Sequence, residues 1–232
     1  MIVKVCGLCV ADNIREIRKL DVDWVGLIFC PSSPRYVKQL GARGGFYPDY
    51  SPFAKSPKEL GGQPTLSARV NKPKRVGVFA DDMPQNIVTR VYNFYLDIVQ
   101  LHGEELPVMI ENLRRTLDPD IRPVKIMKTI MLESEADLEK CKDYESVVDY
   151  FLFHTKSGLT GCGKRFDLSI LNAYKGNVPF LIGGGIAPED AEAVKAFKHP
   201  QFVGVDINSK FEIEPGVKDV EKVKQFVEAV KA

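Results

Sequence analysis

The side chains best suited to chemistry in this chain stand at or just beyond the ends of apolar runs. Cys6 ends IVKVC (2–6) and is followed by Gly7. Gln100 and His102 close the run LDIVQL (96–101), and His154 follows DYFLF (149–153), with Thr155 and Lys156 behind it. Gly183, Gly184 and Gly185 follow PFLI (179–182). Asp206 ends FVGVD (202–206), with Asn208 and Ser209 just beyond, and Arg35 stands in the loop PSSPRY (31–36) after WVGLIF (24–29). A thiol at the open end of a strand suits proton transfer or nucleophilic attack. Glycines ahead of a helix start let backbone N–H groups approach an anion, and Pro188 is well placed to begin that helix. Gly184 and Gly185, completed by Asn208 and Ser209, therefore predict a phosphate cradle; a plain tight turn is the alternative for the glycines alone. Cys6 and Cys9 also have the spacing of a redox pair or half a zinc site, but no second ligand pair accompanies them. A buried, inert thiol stays open for Cys6.

These residues need a scaffold that brings strand ends together. The runs already quoted, with RVGVF (75–79) and PVKIM (123–127), make eight, near-continuous in apolar residues, as expected for strands buried on both faces. Helical stretches lie between most of them: 11–20, 84–95, 104–117, 188–197 and 219–232, the last with Val220, Val223, Phe226, Val227 and Val230 on one face. Strands alternating with helices predict one (β/α)₈ TIM barrel over residues 1–232, of ordinary size for that fold. A doubly wound open sheet is the alternative. The glycine- and proline-rich stretch 41–66 predicts a long loop after strand 2, leading to a short helix. In such a barrel chemistry sits at the C-terminal strand ends, with phosphate at the loops after strands 7 and 8. That is where every candidate residue falls.

Composition removes other classes. Lys+Arg 32 against Asp+Glu 31 leaves a net charge of +1, which argues against a nucleic-acid or anionic-membrane surface. No apolar stretch approaches the ~18 residues of a membrane span. Five cysteines, with MIVKVCGLCV lacking the pattern of a secretion signal, predict free thiols in a reducing cytoplasm.

The segments KVCGL (4–8), SPRYV (33–37), VGVF (76–79), VQLHGEE (99–105), GCGKRFD (161–167), GGGIAPED (183–190), GVDINSKFE (204–212) and PGVKD (215–219) follow one another along nearly the whole chain. In that order they resemble the phosphoribosylanthranilate isomerase family of tryptophan biosynthesis. The resemblance implies a (β/α)₈ barrel that works without cofactor or metal on a small phosphosugar. The implied reaction is an Amadori rearrangement of N-(5-phosphoribosyl)anthranilate. It implies Cys6 as general base and Arg35 as the grip on the anthranilate carboxylate, for which a guanidinium fork is suited. It also implies Gly184, Gly185, Asn208 and Ser209 as the phosphate cradle and Asp206 as a sugar-site carboxylate. Gln100 and His102, at the end of the fourth run, are further candidate substrate contacts, with a plain strand-end hydrogen-bonding role as the alternative for His102. The chain departs from the family at its general acid: His154 stands where the family has aspartate. An unperturbed imidazole, pKa ~6.5, would be roughly a quarter protonated at pH 7. Cys162 and Lys210-Phe211 are smaller departures, in loops. Two rivals remain: a weakened or non-catalytic phosphosugar-binding barrel, because of His154, and the related histidine-pathway isomerase, which the cysteine after strand 1 disfavours. Residues 41–66 are expected to form a flap over the anthranilate end, and the chain to act as a monomer or homodimer.

Overall fold

Eight parallel strands, each paired with the next in sequence, form the centre of the structure. The computed structural model describes residues 1–37, 73–117, 123–155 and 168–232. Its strands are β1 (Ile2–Val5), β2 (Trp24–Ile28), β3 (Lys74–Phe79), β4 (Ile98–Leu101), β5 (Lys125–Leu132), β6 (Tyr150–Thr155), β7 (Phe180–Gly183) and β8 (Phe202–Ile207). β8 also pairs with β1, from Ile2↔Gly204 to Val5↔Ile207, so the barrel is closed. The (β/α)₈ expectation holds and the open sheet is excluded. The loop and flap expected at 41–66, Lys156, and the GCGKRFD segment with Cys162 lie outside the described residues.

Among the described residues five α-helices pack around the barrel: α1 (Ala11–Ile17), α2 (Pro84–Phe94), α3 (Pro107–Thr116), α4 (Ala191–Ala196) and α5 (Val220–Lys231). Pro84 and Pro107 open their helices, where a missing N–H loses no hydrogen bond. α5 buries Val223, Phe226, Val227 and Val230 as its periodicity predicts, with Val220 half-buried. The described crossovers before and after β6 contain 3₁₀ turns, Glu135–Asp143 and Leu168–Ala173, rather than α-helices. Between β8 and α5 lies a short antiparallel hairpin, β9 (Glu212–Glu214) and β10 (Val217–Lys218), which the apolar pattern does not announce.

Two features hold the strands in register. Inside the barrel, Trp24, Val76, Ile98, Met127, Leu152 and Leu181 pack on one another, all essentially buried. At the N-terminal rim, an aspartate just before each of β2, β4 and β6 accepts a backbone N–H from the preceding strand. Asp23 takes Val3, Asp97 takes Arg75 and Asp149 takes Ile126, each at 2.8 Å. A carboxylate bonded to N–H is a strong acceptor, and the repeat locks successive strand pairs at one end.

Candidate active site

The opposite rim is built differently. A cavity of about 370 Å³ opens there, lined by Cys6, Gln100, His102, His154, Gly184, Gly185, Asp206, Asn208 and Ser209, together with Thr155 and Lys210. Nine of the ten candidates from the sequence thus meet around one space. Parallel strands in a closed barrel converge at their C-terminal ends, so residues far apart in sequence share one mouth. Register shows how closely: Lys4 pairs with Asp206, Asp206 with Gly183, and Gly183 with His154.

Arg35 is the exception, since it does not line this cavity. It sits beside the mouth, where Nε and Nη2 donate to the two carboxylate oxygens of Glu212, at 2.8 and 2.6 Å. It still lies close to Asn208, which does line the cavity. A Cβ placed on Gly7 would come within 2.6 Å of both Arg35 Cδ and Asn208 Oδ1. Gly7 also has φ +77°, so a side chain there would be strained as well as blocked. Gly184 and Gly185 likewise take positive φ, 90° and 73°. A Cβ on Gly184 would lie 2.5 Å from the Thr155 carbonyl oxygen, while the Thr155 hydroxyl donates to the Gly184 carbonyl at 3.0 Å. The glycines therefore answer a backbone requirement.

Lys4, which sequence reading passed over, runs up the barrel interior, fully buried, and donates to Asp206 Oδ2 at 2.8 Å. Its signal was a lysine inside the apolar run IVKVC, a position that demands a buried partner. Burial works to lower the Lys4 pKa; Asp206, then Cys6, outweighs it and leaves it raised. Burial pushes the Cys6 thiol up, with Lys4 pulling the other way and Asp206 adding to the rise. The thiol is therefore protonated at rest.

His154 corrects one expectation. Burial lowers its pKa, Asp206 opposes that and Lys4 reinforces it, for a net decrease from the ordinary value. At rest the imidazole is more fully neutral at pH 7 than the unperturbed value implies. His102, whose ring meets the His154 ring edge-on at 5.4 Å, is lowered further, to about 4, by burial, then His154, Lys4 and Lys128. Gln100 Nε2 donates to Thr129 Oγ1 at 3.1 Å.

Three buried polar atoms at this mouth have no hydrogen-bond partner among the described residues: Gln100 Oε1, His154 Nδ1 and Asp206 Oδ1. Buried polar groups are almost always bonded, so their clustering here marks a place for polar groups of a ligand. Cys9 lies outside the cavity, its Sγ 3.7 Å from the Gly216 carbonyl oxygen, and Cys6, Cys9, Cys30 and Cys141 are free thiols.

A thiol, two imidazoles and a carboxylate beside two positive-φ glycines, at the mouth of a closed parallel barrel, fit a class: barrel enzymes that move protons on small phosphorylated substrates. A family model described as N-(5'phosphoribosyl)anthranilate (PRA) isomerase matches residues 50–229, and the chain belongs to that family. It is thus an isomerase of the aldose–ketose type, as the order of its segments already implied. An N-(5'-phosphoribosyl)anthranilate isomerase of Parabacteroides distasonis is 41% identical over 231 residues, 99% of this chain and 93% of that protein. One from Phocaeicola vulgatus is 36% identical, covering 100% of this chain and 98% of that protein. The crystal structure of phosphoribosyl anthranilate isomerase from Thermotoga maritima matches with TM-score 0.72 and 26% identity, over 100% of this chain and 99% of that one. Another isomerase structure, in complex with reduced 1-(o-carboxyphenylamino)-1-deoxyribulose 5-phosphate, matches with TM-score 0.70 and 25% identity, over 100% and 99%.

Proposed function

We propose that this chain carries out the Amadori rearrangement of N-(5-phosphoribosyl)anthranilate to 1-(2-carboxyphenylamino)-1-deoxyribulose 5-phosphate in tryptophan biosynthesis, with His154 as general acid and Cys6 as general base. The observation that carries this reading is the cluster of orphaned polar atoms on Gln100, His154 and Asp206 around the same cavity as Cys6. The phosphate is held by Gly184, Gly185, Asn208 and Ser209, and the anthranilate carboxylate by Arg35. Two held ends fix the ribose between the acid and the base, which supplies orientation.

The chemistry runs as two proton exchanges. His154 gives a proton to the ribose ring oxygen. The C1′–O bond breaks as the amine nitrogen lone pair forms a C=N⁺ bond. The Cys6 thiolate then takes the C2′ proton, the C–H pair becomes the C1′=C2′ bond, and the C=N⁺ π pair returns to nitrogen. The enolamine becomes the ketone as its hydroxyl proton goes to His154 and a proton from Cys6 goes to C1′. Both side chains end as they began, so no cofactor enters the balance. Each transfer contributes ~10²–10⁴-fold. Before the first step His154 takes one proton from solvent and the Cys6 thiol gives one up to solvent, so the count is unchanged, and the substrate itself favours both changes. Phosphate and carboxylate beside His154 favour the imidazolium, and the iminium formed on ring opening favours the Cys6 thiolate.

The neutral resting state of His154 favours a second reading, a barrel that binds the phosphosugar and turns it over weakly or not at all. Among the described residues no helix is long and apolar enough to cross a membrane. The free thiols support a reducing cytoplasm. We take the chain as a single barrel domain, acting alone or as a homodimer. Loss of anthranilate-type fluorescence on mixing purified protein with the substrate tests the reading. Steady turnover is expected; affinity without product would leave only the binder.

A further inference from the structure

The mouth is flanked by a charged cluster that no step above uses. Glu212 opens the β9–β10 hairpin and Lys218 closes it. Lys218 is fully buried, and the Glu212 side chain is 5% exposed. Glu212 Oε1 accepts from Arg35 Nε at 2.8 Å, from Lys218 Nζ at 2.6 Å and from the Gly216 N–H at 3.1 Å. Glu212 Oε2 accepts from Arg35 Nη2 at 2.6 Å. Besides Glu212 Oε1, the Lys218 ammonium has Asn208 Oδ1 at 2.7 Å and the Asn208 carbonyl at 3.3 Å as acceptors, so its three protons are engaged.

This wiring decides which donors remain. A guanidinium offers two forks, one through Nε and Nη2 and one through Nη1 and Nη2. Glu212 occupies the first, which leaves the second for a carboxylate. A carboxamide whose oxygen is bonded to an ammonium turns its NH₂ outward, and Asn208 lines the cavity beside Gly184 and Gly185. Burial of this kind calls for full pairing, since removing one partner strands the others. Arg35, carrying the long side chain, would otherwise have rotamer freedom to lose on binding.

We infer that Glu212 and Lys218 are positioning residues: the hairpin holds them so that Glu212 presents the free fork of Arg35 to the substrate carboxylate, while Lys218 presents the Asn208 NH₂ to its phosphate. One buried ion pair thereby sets the distance between the two anion grips and selects a ligand with anionic groups at both ends. This rests on the proposed substrate, but not on turnover.

The test is binding, measured by calorimetry on the full chain. The probes are reduced 1-(o-carboxyphenylamino)-1-deoxyribulose 5-phosphate and its counterpart lacking the carboxylate. Glu212→Gln should weaken the first probe by about tenfold or more, the worth of one well-oriented charge-assisted contact, and leave the second almost unchanged. Glu212→Asp, which keeps the charge, should recover part of the loss. Lys218→Met should weaken both probes alike, because both carry phosphate. Thermal melts run alongside establish that each variant is folded. If Glu212→Gln weakens the two probes equally, or neither, the positioning role is wrong. If Glu212→Gln does not fold, Glu212→Asp decides by the same ratio. A parent that binds both probes but shows no turnover would fail the proposed reaction and leave this inference standing.

Discussion

The two rims of the barrel use carboxylates in opposite ways. At the N-terminal rim, Asp23, Asp97 and Asp149 each close a strand pair by accepting a backbone N–H, and Asp149 also meets Arg114 at 2.7 Å and Lys125 at 2.8 Å. Their bonding capacity is spent inside the protein. At the C-terminal rim, Asp206 has one oxygen on Lys4 and the other unpartnered, Gln100 has its Nε2 on Thr129 and its Oε1 unpartnered, and His154 Nδ1 is unpartnered beside them. The first arrangement stabilises the fold; the second withholds stability and keeps it for a ligand. The apolar layer of Trp24, Ile98 and Leu152 lies within the barrel and supports the rim above it.

If that division is right, variants should separate cleanly. The largest effect falls on the supporting layer. Leu152→Ala removes a side chain that is 1% exposed and should destabilise by about 2–5 kcal/mol in a denaturant titration. Cys6→Ser comes next and strikes the other quantity. Turnover should fall at least ~100-fold, with the midpoint of unfolding almost unmoved. Cys9→Ser, outside the cavity, is its control and should leave turnover intact. Asp97→Ala should cost about 1–3 kcal/mol of stability by stranding the Arg75 N–H, while KM and kcat stay near the parent values. Loss of activity in folded Asp97→Ala, or normal turnover in Cys6→Ser, would blur the line between the rims.

Much of this was legible in the sequence because β-branched runs report burial on both faces directly. The eight strands, and the nine candidates that line the mouth, follow from those runs and from what stands at their ends. The reading failed where polar residues point inward. β5 continues through Lys128 and Thr129 to Leu132, but the apolar signal stops at Met127. Lys4 was hidden in a strand for the same reason. Glu212 and Lys218 sit in a two-stranded hairpin too short to show a period, so their pairing with Arg35 emerges only in three dimensions. His154 was found by position, yet its lowered pKa depends on burial and on Asp206 and Lys4, which only the closed barrel brings together.

The most direct test of the central claim, that His154 supplies the proton, is kcat as a function of pH, from about pH 5 to 9, for the parent, His154→Ala and His154→Asp. A group that must be protonated loses function as pH rises through its pKa. Parent turnover should therefore decline with rising pH. His154→Ala should lose about the ~10²-fold or more of one proton transfer together with that decline, and His154→Asp should keep or exceed the parent rate with a different profile. A His154→Ala variant as active as the parent, with the same pH profile, would contradict the assignment. An inactive parent restored by His154→Asp would show instead that this barrel binds its phosphosugar without isomerising it.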